Sequence, residues 1–239
     1  MELEHSHSSD AIRARLASGP EVSYLRDWIY GGIDGTVTTF AVVAGAIGAD
    51  FSTRVLLVLG VANLLADGFS MAAANYSATR AEHEDYQRLV NQEKRHIQAE
   101  PDGERQEIRQ IYRNKGFDGD QLEEIVQLIT DRRDVWIDTM VAEEYGRSPI
   151  IANPLKSAAA TFGAFVLCGA IPLLPFLFNL PAAPVIATAL TACVFFGIGS
   201  AKSRFSTRTW YQSGTQTLAI GLTAAAVAYV VGDLLIRLF

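Results

Sequence analysis

The sequence predicts an all-α integral membrane protein with five transmembrane helices and an acidic helical domain inserted between the second and the third. Three observations carry that prediction. Charge is sparse: 19% of the 239 residues are Asp, Glu, Lys or Arg, against 49% hydrophobic. It is also unevenly placed, because residues 80–149 hold 17 acidic and 11 basic residues and the rest of the chain 9 of each, so the net charge of −6 lies in one block. Most of the remainder consists of uncharged runs longer than the roughly 20 residues that cross a bilayer. Such a chain is too apolar to be disordered, and it fits neither a water-soluble enzyme nor a basic nucleic-acid-binding protein.

Residues 1–27 read as a polar cytoplasmic N-terminal segment without the apolar stretch of a cleavable signal peptide. Residues 28–79 hold the first two spans: Asp34 is the only charged residue from Trp28 to Ala49, and Asp67 the only one from Val55 to Thr79. After Gly68 no Gly or Pro occurs until Pro101, which predicts that the second span continues as a helix to about Gln98. Within the acidic domain, 80–149, a helix is expected from Gly103 to Lys115, stopped by Gly116. Another begins near Asp120 with Glu123 in capping-box spacing, and a third runs from Asp134 to Tyr145, anchored by Trp136, Ile137 and Met140.

Residues 150–239 supply three more spans. No charge lies between Lys156 and Lys202, and Asn179-Leu-Pro181-Ala-Ala-Pro184 interrupts that stretch, predicting spans over 157–178 and 185–201 and a fifth over 211–231. Arg13, Arg15, Arg26, Lys202, Arg204 and Arg208 fall on one side and only Arg54 and Arg237 on the other, so the N-terminus and the acidic domain are expected in the cytoplasm. Trp28, Tyr30, Trp210 and Tyr211 start two spans, as an interfacial aromatic belt would. Cys168 and Cys193 read as small apolar packing residues. Gly31/Gly35, Ala41/Gly45/Ala49 and Ala62/Ala66 allow close helix approach, within one chain or between two.

A charged side chain in a span costs on the order of 2.5–3.5 kcal/mol on insertion scales, so Asp34 and Asp67 need a reason to be there. At about 1.5 Å per residue, Asp34 lies roughly 12 Å beyond Arg26 and Met71 roughly 14 Å before Arg80, at similar depth. Asn63, Asp67, Met71 and Asn75 recur every four residues as a polar and sulfur stripe that should face protein or water. A cation pathway with Asp34 and Met71 as ligands, joined by Asp67 and Asn63, is one reading. Helix-packing hydrogen bonds beside Gly35 and Gly68 are the other.

The acidic domain repeats ligand-type residues at helical spacing: Glu93 and His96, Glu104 and Glu107, then Met140, Glu143 and Glu144. Three helices could aim carboxylate, imidazole and thioether groups at one point, a donor set that suits Fe²⁺, Mn²⁺, Co²⁺ or Zn²⁺ better than Mg²⁺ or Ca²⁺. The competing reading is a solvated face with Glu–Arg pairs such as Glu100–Arg105 or Glu107–Arg113.

Two motifs carry a family resemblance: Gly32-Ile-Asp34-Gly35-Thr-Val-Thr-Thr-Phe-Ala-Val-Val-Ala-Gly45 and Ala62-Asn63-Leu-Leu-Ala-Asp67-Gly68-Phe-Ser70-Met71-Ala. With five spans and an acidic insert after the second, the chain from about residue 24 resembles the vacuolar iron transporter family. The resemblance implies a homodimeric exchanger that moves Fe²⁺, or Mn²⁺, Co²⁺ or Zn²⁺, out of the cytosol against protons, with no catalytic cofactor. It implies Asp34 and Met71 as membrane ligands, and Glu93, Glu104, Glu107, Glu144 and Met140 as ligands of a cytoplasmic metal-binding domain. His96 stands where plant members are expected to carry Glu, which keeps a ligand but makes binding more sensitive to pH. Asn63 stands where some members carry a membrane Glu, leaving proton coupling to Asp34, Asp67 or the cytoplasmic carboxylates.

Two other functions compete. A membrane-tethered ferritin-like di-iron protein would use Glu93-Lys-Arg-His96, but needs a second Glu-x-x-His element, and the sequence offers only Glu2…His5 and Glu4…His7 in the polar tail. A metal sensor without flux is the third reading, to which His5 and His7 could add weak ligands. The expected location is a bacterial plasma membrane, or a vacuolar membrane in a eukaryotic host.

Overall fold

The structure is a computed structural model that describes residues 6–19 and 22–238; Glu2, Glu4 and His5 of the N-terminal Glu-x-x-His spacings lie outside the described residues. All regular structure among the described residues is helical: α1 Ser9–Ser18, α2 Leu25–Gly48, α3 Thr53–Ala99, α4 Pro101–Asn114, α5 Gly119–Thr130, α6 Arg133–Glu143, α7 Pro154–Gly169, α8 Leu174–Leu177, α9 Ala183–Lys202 and α10 Trp210–Leu238. The chain forms two compact units, one of residues 23–77 and 153–239 and the other of 78–152 with the N-terminal segment. Helix α3, 47 residues without a break, contributes to both.

The larger unit holds five helical stretches long and apolar enough to cross a bilayer: α2, α3, residues 154–177, residues 183–205, and α10. Its core is Phe40, Val43, Phe165, Leu173, Phe176 and Ala187, with Met71 packed against it. Helix α2 is central because its glycines let neighbours in. A methyl group at Gly31 or Gly35 would collide with the carbonyl of Thr161 or Phe165 on α7, and Gly232 of α10 is seated against the backbone of Gly45. Two of the three small-residue rows thus serve packing within the chain, while Ala62 and Ala66 are exposed.

Three details depart from the sequence reading. The third span has the expected extent, residues 154–177, but is not one regular helix: α7 ends at Gly169, and the chain continues past Pro172 and Pro175 through a 3₁₀ segment, Ile171–Leu173, and the single turn of α8. Proline lacks the N–H of the helical ladder and clashes with the preceding turn. Cys168 is buried as expected, but Cys193 is exposed on α9, since the apolarity of a span does not say which side faces protein. The Asp120/Glu123 capping box does not form. The residue before α5 is Asp118, without a side-chain cap, and Glu123 instead takes a two-pronged bond from Arg109 at 2.7 Å.

In the smaller unit, residues 78–99 of α3 join α4, α5 and α6 around Leu89, Ile108, Leu122, Val126, Trp136, Ile137, Met140 and Val141. Gly116 at φ +96° and Gly119 at φ +54° make the turn from α4 to α5, a left-handed conformation that glycine adopts without Cβ strain. The apolar anchors expected on the last helix of the insert, Trp136, Ile137 and Met140, are all buried.

Candidate metal sites

In the smaller unit, Glu93 and His96 lie one turn apart on α3, and Glu104 lies in the first turn of α4. One ligand atom from each falls within 4.8 Å of the others. His96 Nδ1 is 3.6 Å from Glu93 Oε1 and 3.5 Å from Glu104 Oε1. Donors about 2.1 Å from a tetrahedral ion are about 3.4 Å apart, so the spacing is that of a ligand cage.

The electrostatics of this cluster are unfavourable as it stands. Glu93 is fully buried and Glu104 nearly so, and Oε2 of each is buried without a hydrogen-bond partner. Burying carboxylates unpaired is costly, and either a proton or a cation relieves it. Burial, then the charges of Glu107, Glu93 and Glu144 and a hydrogen bond with Glu93, push the Glu104 carboxyl up to about 7. Glu144 is raised as well, mainly by burial.

The other expected ligands are placed differently. Glu107 is exposed one turn beyond Glu104, and it and Glu144 act on the three-residue cluster through their charge without being members of it. Met140 is fully buried in the apolar core one turn before Glu144. Glu143 turns away to Lys115. The surface pairs are not those expected from sequence, since Arg105 binds Asp102 at 2.7 Å rather than Glu100.

Sequence reasoning missed one participant. The Tyr145 hydroxyl donates to Glu93 Oε1 at 3.1 Å and accepts from Gln92 Nε2 at 3.0 Å, which fixes the hydroxyl and the carboxylate together. The phenol is strongly raised by burial and by the charges of Glu93 and Glu144, so it stays a donor.

In the larger unit, the stripe of α3 faces protein. Asn63, Asp67, Met71 and Asn75 are all half-buried and run alongside buried Leu64 and Gly68, while Ala62, Ala66, Ser70 and Ala74 are exposed. Asn75 Nδ2 donates to Asp27 Oδ1 of α2 at 3.0 Å and to Thr161 Oγ1 of α7 at 2.7 Å, tying three helices at one level. Asn63 Nδ2 is buried without a partner. Asp34 is half-buried on α2, two turns beyond Asp27, and lies within electrostatic reach of Asp67. Asp27 and Thr161 were not among the residues expected from sequence. Spacing along a chain cannot pair positions 48 and 86 residues apart.

A family model described as the VIT family matches residues 25–233. The chain is 32% identical over 208 residues to vacuolar iron transporter 1 of Eucalyptus grandis, covering 86% of this chain and 84% of that one. It is 33% identical over 230 residues to vacuolar iron transporter 1 of Oryza sativa subsp. japonica, covering 94% and 89%. It is 32% identical over 249 residues to the vacuolar iron transporter of Toxoplasma gondii (strain ATCC 50861 / VEG), covering 96% and 82%.

Proposed function

The chain belongs to the VIT family, and from that premise we propose that it carries divalent transition metal, iron(II) first, out of the cytosol in exchange for protons. It is a transporter rather than an enzyme. The observation that carries the reading is the stripe of α3, where carboxylate, carboxamide and thioether groups are held against α2 and α7 inside a unit of five span-length helices. Charged and polar groups at that depth are costly in lipid, and a cation route gives them a use.

The proposed route is lined by Asp34 and Met71, with Asp67 and Asn63 beside them and Asp27 and Asn75 two turns toward the Arg26 end. Carboxylates that bind either a proton or a metal ion give exchange its chemistry. Glu93, His96 and Glu104, with Glu107, Glu144 and Met140 around them, form the proposed metal-gathering site of a cytoplasmic acidic domain, 80–149. The basic bias of the segments around α1, α2 and the α9–α10 connection supports the cytoplasmic placement of that domain. The exposed face of α3, with Val58, Ala62, Leu65 and Phe69, supports a homodimer. Iron comes first because of the relatives; the donor set accommodates Mn²⁺, Co²⁺ and Zn²⁺ as well. The membrane is proposed to be vacuolar in a eukaryotic host and the plasma membrane in a bacterial one.

Reconstituted vesicles loaded with a metal-quenched dye test this reading. Fe²⁺ and Co²⁺ uptake is expected to follow an imposed pH gradient and to exceed uptake of Ca²⁺. Metal binding without flux under any gradient would select the sensor reading instead.

A further inference from the structure

The connection from α9 to α10 has chemistry that metal transport does not use. Lys202, Arg204 and Arg208 fall within seven residues, and no acidic residue follows before Asp233. All three are exposed, and none of them enters an ion pair among the described residues. Several exposed arginines elsewhere in the chain are paired, Arg80 with Glu84 and Arg237 with Asp233 one helical turn away, and Arg147 with the more distant Asp85. Here the positive field is left open.

Beside this cluster is a notch of about 520 Å³ lined by Arg208, Gln212, Thr215 and Gln216, on the outer side of the first two turns of α10. Its hydrogen-bonding pattern is one-sided. Arg208 Nη1 donates to Gln216 Oε1 at 2.7 Å, and the Thr209 N–H donates to Gln212 Oε1 at 3.4 Å. Both carboxamide oxygens thereby accept a bond, which leaves the NH₂ group of each Gln as a donor. Thr215 gives its hydroxyl proton back to the carbonyl of Tyr211. A guanidinium with four N–H bonds to spare and two amide donors, with no carboxylate lining the notch, is a recognition surface for an anionic oxygen cluster.

What lies on either side says which anion. Phe205, Trp210 and Tyr211, next to Arg208 and Gln212 in the chain, are exposed at this end of the span, the aromatic surroundings of a membrane–water interface. Farther along the exposed face of α10, Val227, Val230 and Leu234 present apolar side chains, with Val230 five turns from Gln212 on the same line. A phosphate held at Arg208 would have its acyl chains directed along that face, whereas a free phosphate would have no use for it. We propose that this notch binds the phosphate headgroup of an anionic membrane phospholipid, with Arg208 as the charged contact and Gln212 and Gln216 as its directional donors.

Native mass spectrometry of the full chain, released from detergent after titration with phosphatidylglycerol or phosphatidylcholine, tests the proposal. The wild-type chain should retain phosphatidylglycerol about tenfold more tightly than phosphatidylcholine, and Arg208→Gln should remove that preference. The double variant Gln212→Leu, Gln216→Leu, which keeps the charge, should lower phosphatidylglycerol retention severalfold and serves if Arg208→Gln does not fold. Equal retention of phosphatidylglycerol by the wild-type chain and a folded variant would overturn the site. Displacement of the lipid by millimolar inorganic phosphate would overturn the choice of a lipid over a free anion. None of these readouts depends on metal flux.

Discussion

Glu104 concentrates the chemistry of the acidic unit in one side chain. With its carboxyl at about 7 in the folded chain and about 4.5 as the ordinary value, the folded state holds a proton between those pH values that the unfolded state has released. That proton's stabilisation is full below about 4.5 and is lost as pH rises through about 7, a change of up to about 3 kcal/mol. The melting temperature of the metal-free chain should therefore fall as pH is raised from about 5 to about 7.5, and Glu104→Gln should flatten that dependence. Added Co²⁺ should reverse the trend, because the ion replaces the proton and binds more tightly as pH rises.

Tyr145 makes a second prediction at the same scale. Its hydroxyl is the hydrogen-bond donor to Glu93 Oε1, and groups that orient a ligand typically contribute 10–100-fold to metal affinity. Tyr145→Phe should weaken Co²⁺ binding by about tenfold in calorimetric titration and shift the visible Co²⁺ absorption bands. An unchanged spectrum and affinity would mean that the bond only fills space.

Among the elements, α2 and α7 are held together by the absence of side chains. Gly35→Val would drive a branched side chain into the Phe165 backbone, which α7 cannot yield without separating from α2. Overpacking of this kind costs about 1–3 kcal/mol or more, so the variant should melt lower in detergent, while Gly163→Ala, which has open space around it, should not. Asn75→Leu keeps the bulk but removes both hydrogen bonds to Asp27 and Thr161, and is expected to lower metal flux more than it lowers melting temperature.

Element by element, the sequence was most legible where hydropathy alone decides. The uncharged runs gave all five long helices, and the gap in Gly and Pro after Gly68 correctly predicted that α3 would run on to Ala99. It was least legible where a side chain chooses between a local and a distant partner. Glu123 at capping-box spacing bonds Arg109 of α4, and Pro172 and Pro175 end the regular α-helix early within the third span. For the candidate sites, the one-turn spacing of Glu93 and His96 was visible in the chain, while the arrival of Glu104 and Tyr145 beside them depends on how α4 and the end of α6 pack.

For the whole molecule, the opening contrast between a neutral apolar majority and a net −6 block becomes a division of labour. One unit holds a crowded, buried carboxylate cluster that favours a cation, and the other holds a polar stripe inside five span-length helices. The central claim is that metal crosses in exchange for protons by way of Asp34. Simultaneous recording of Fe²⁺ uptake and internal pH in vesicles reconstituted with wild type or Asp34→Ala tests it most directly. The account predicts that each increment of metal entering the wild-type vesicles is matched by protons leaving, and that Asp34→Ala abolishes both fluxes while the purified chain still binds Co²⁺ at Glu93, His96 and Glu104. Wild-type metal uptake with no proton movement, or an Asp34→Ala chain that transports as well as wild type, would contradict it.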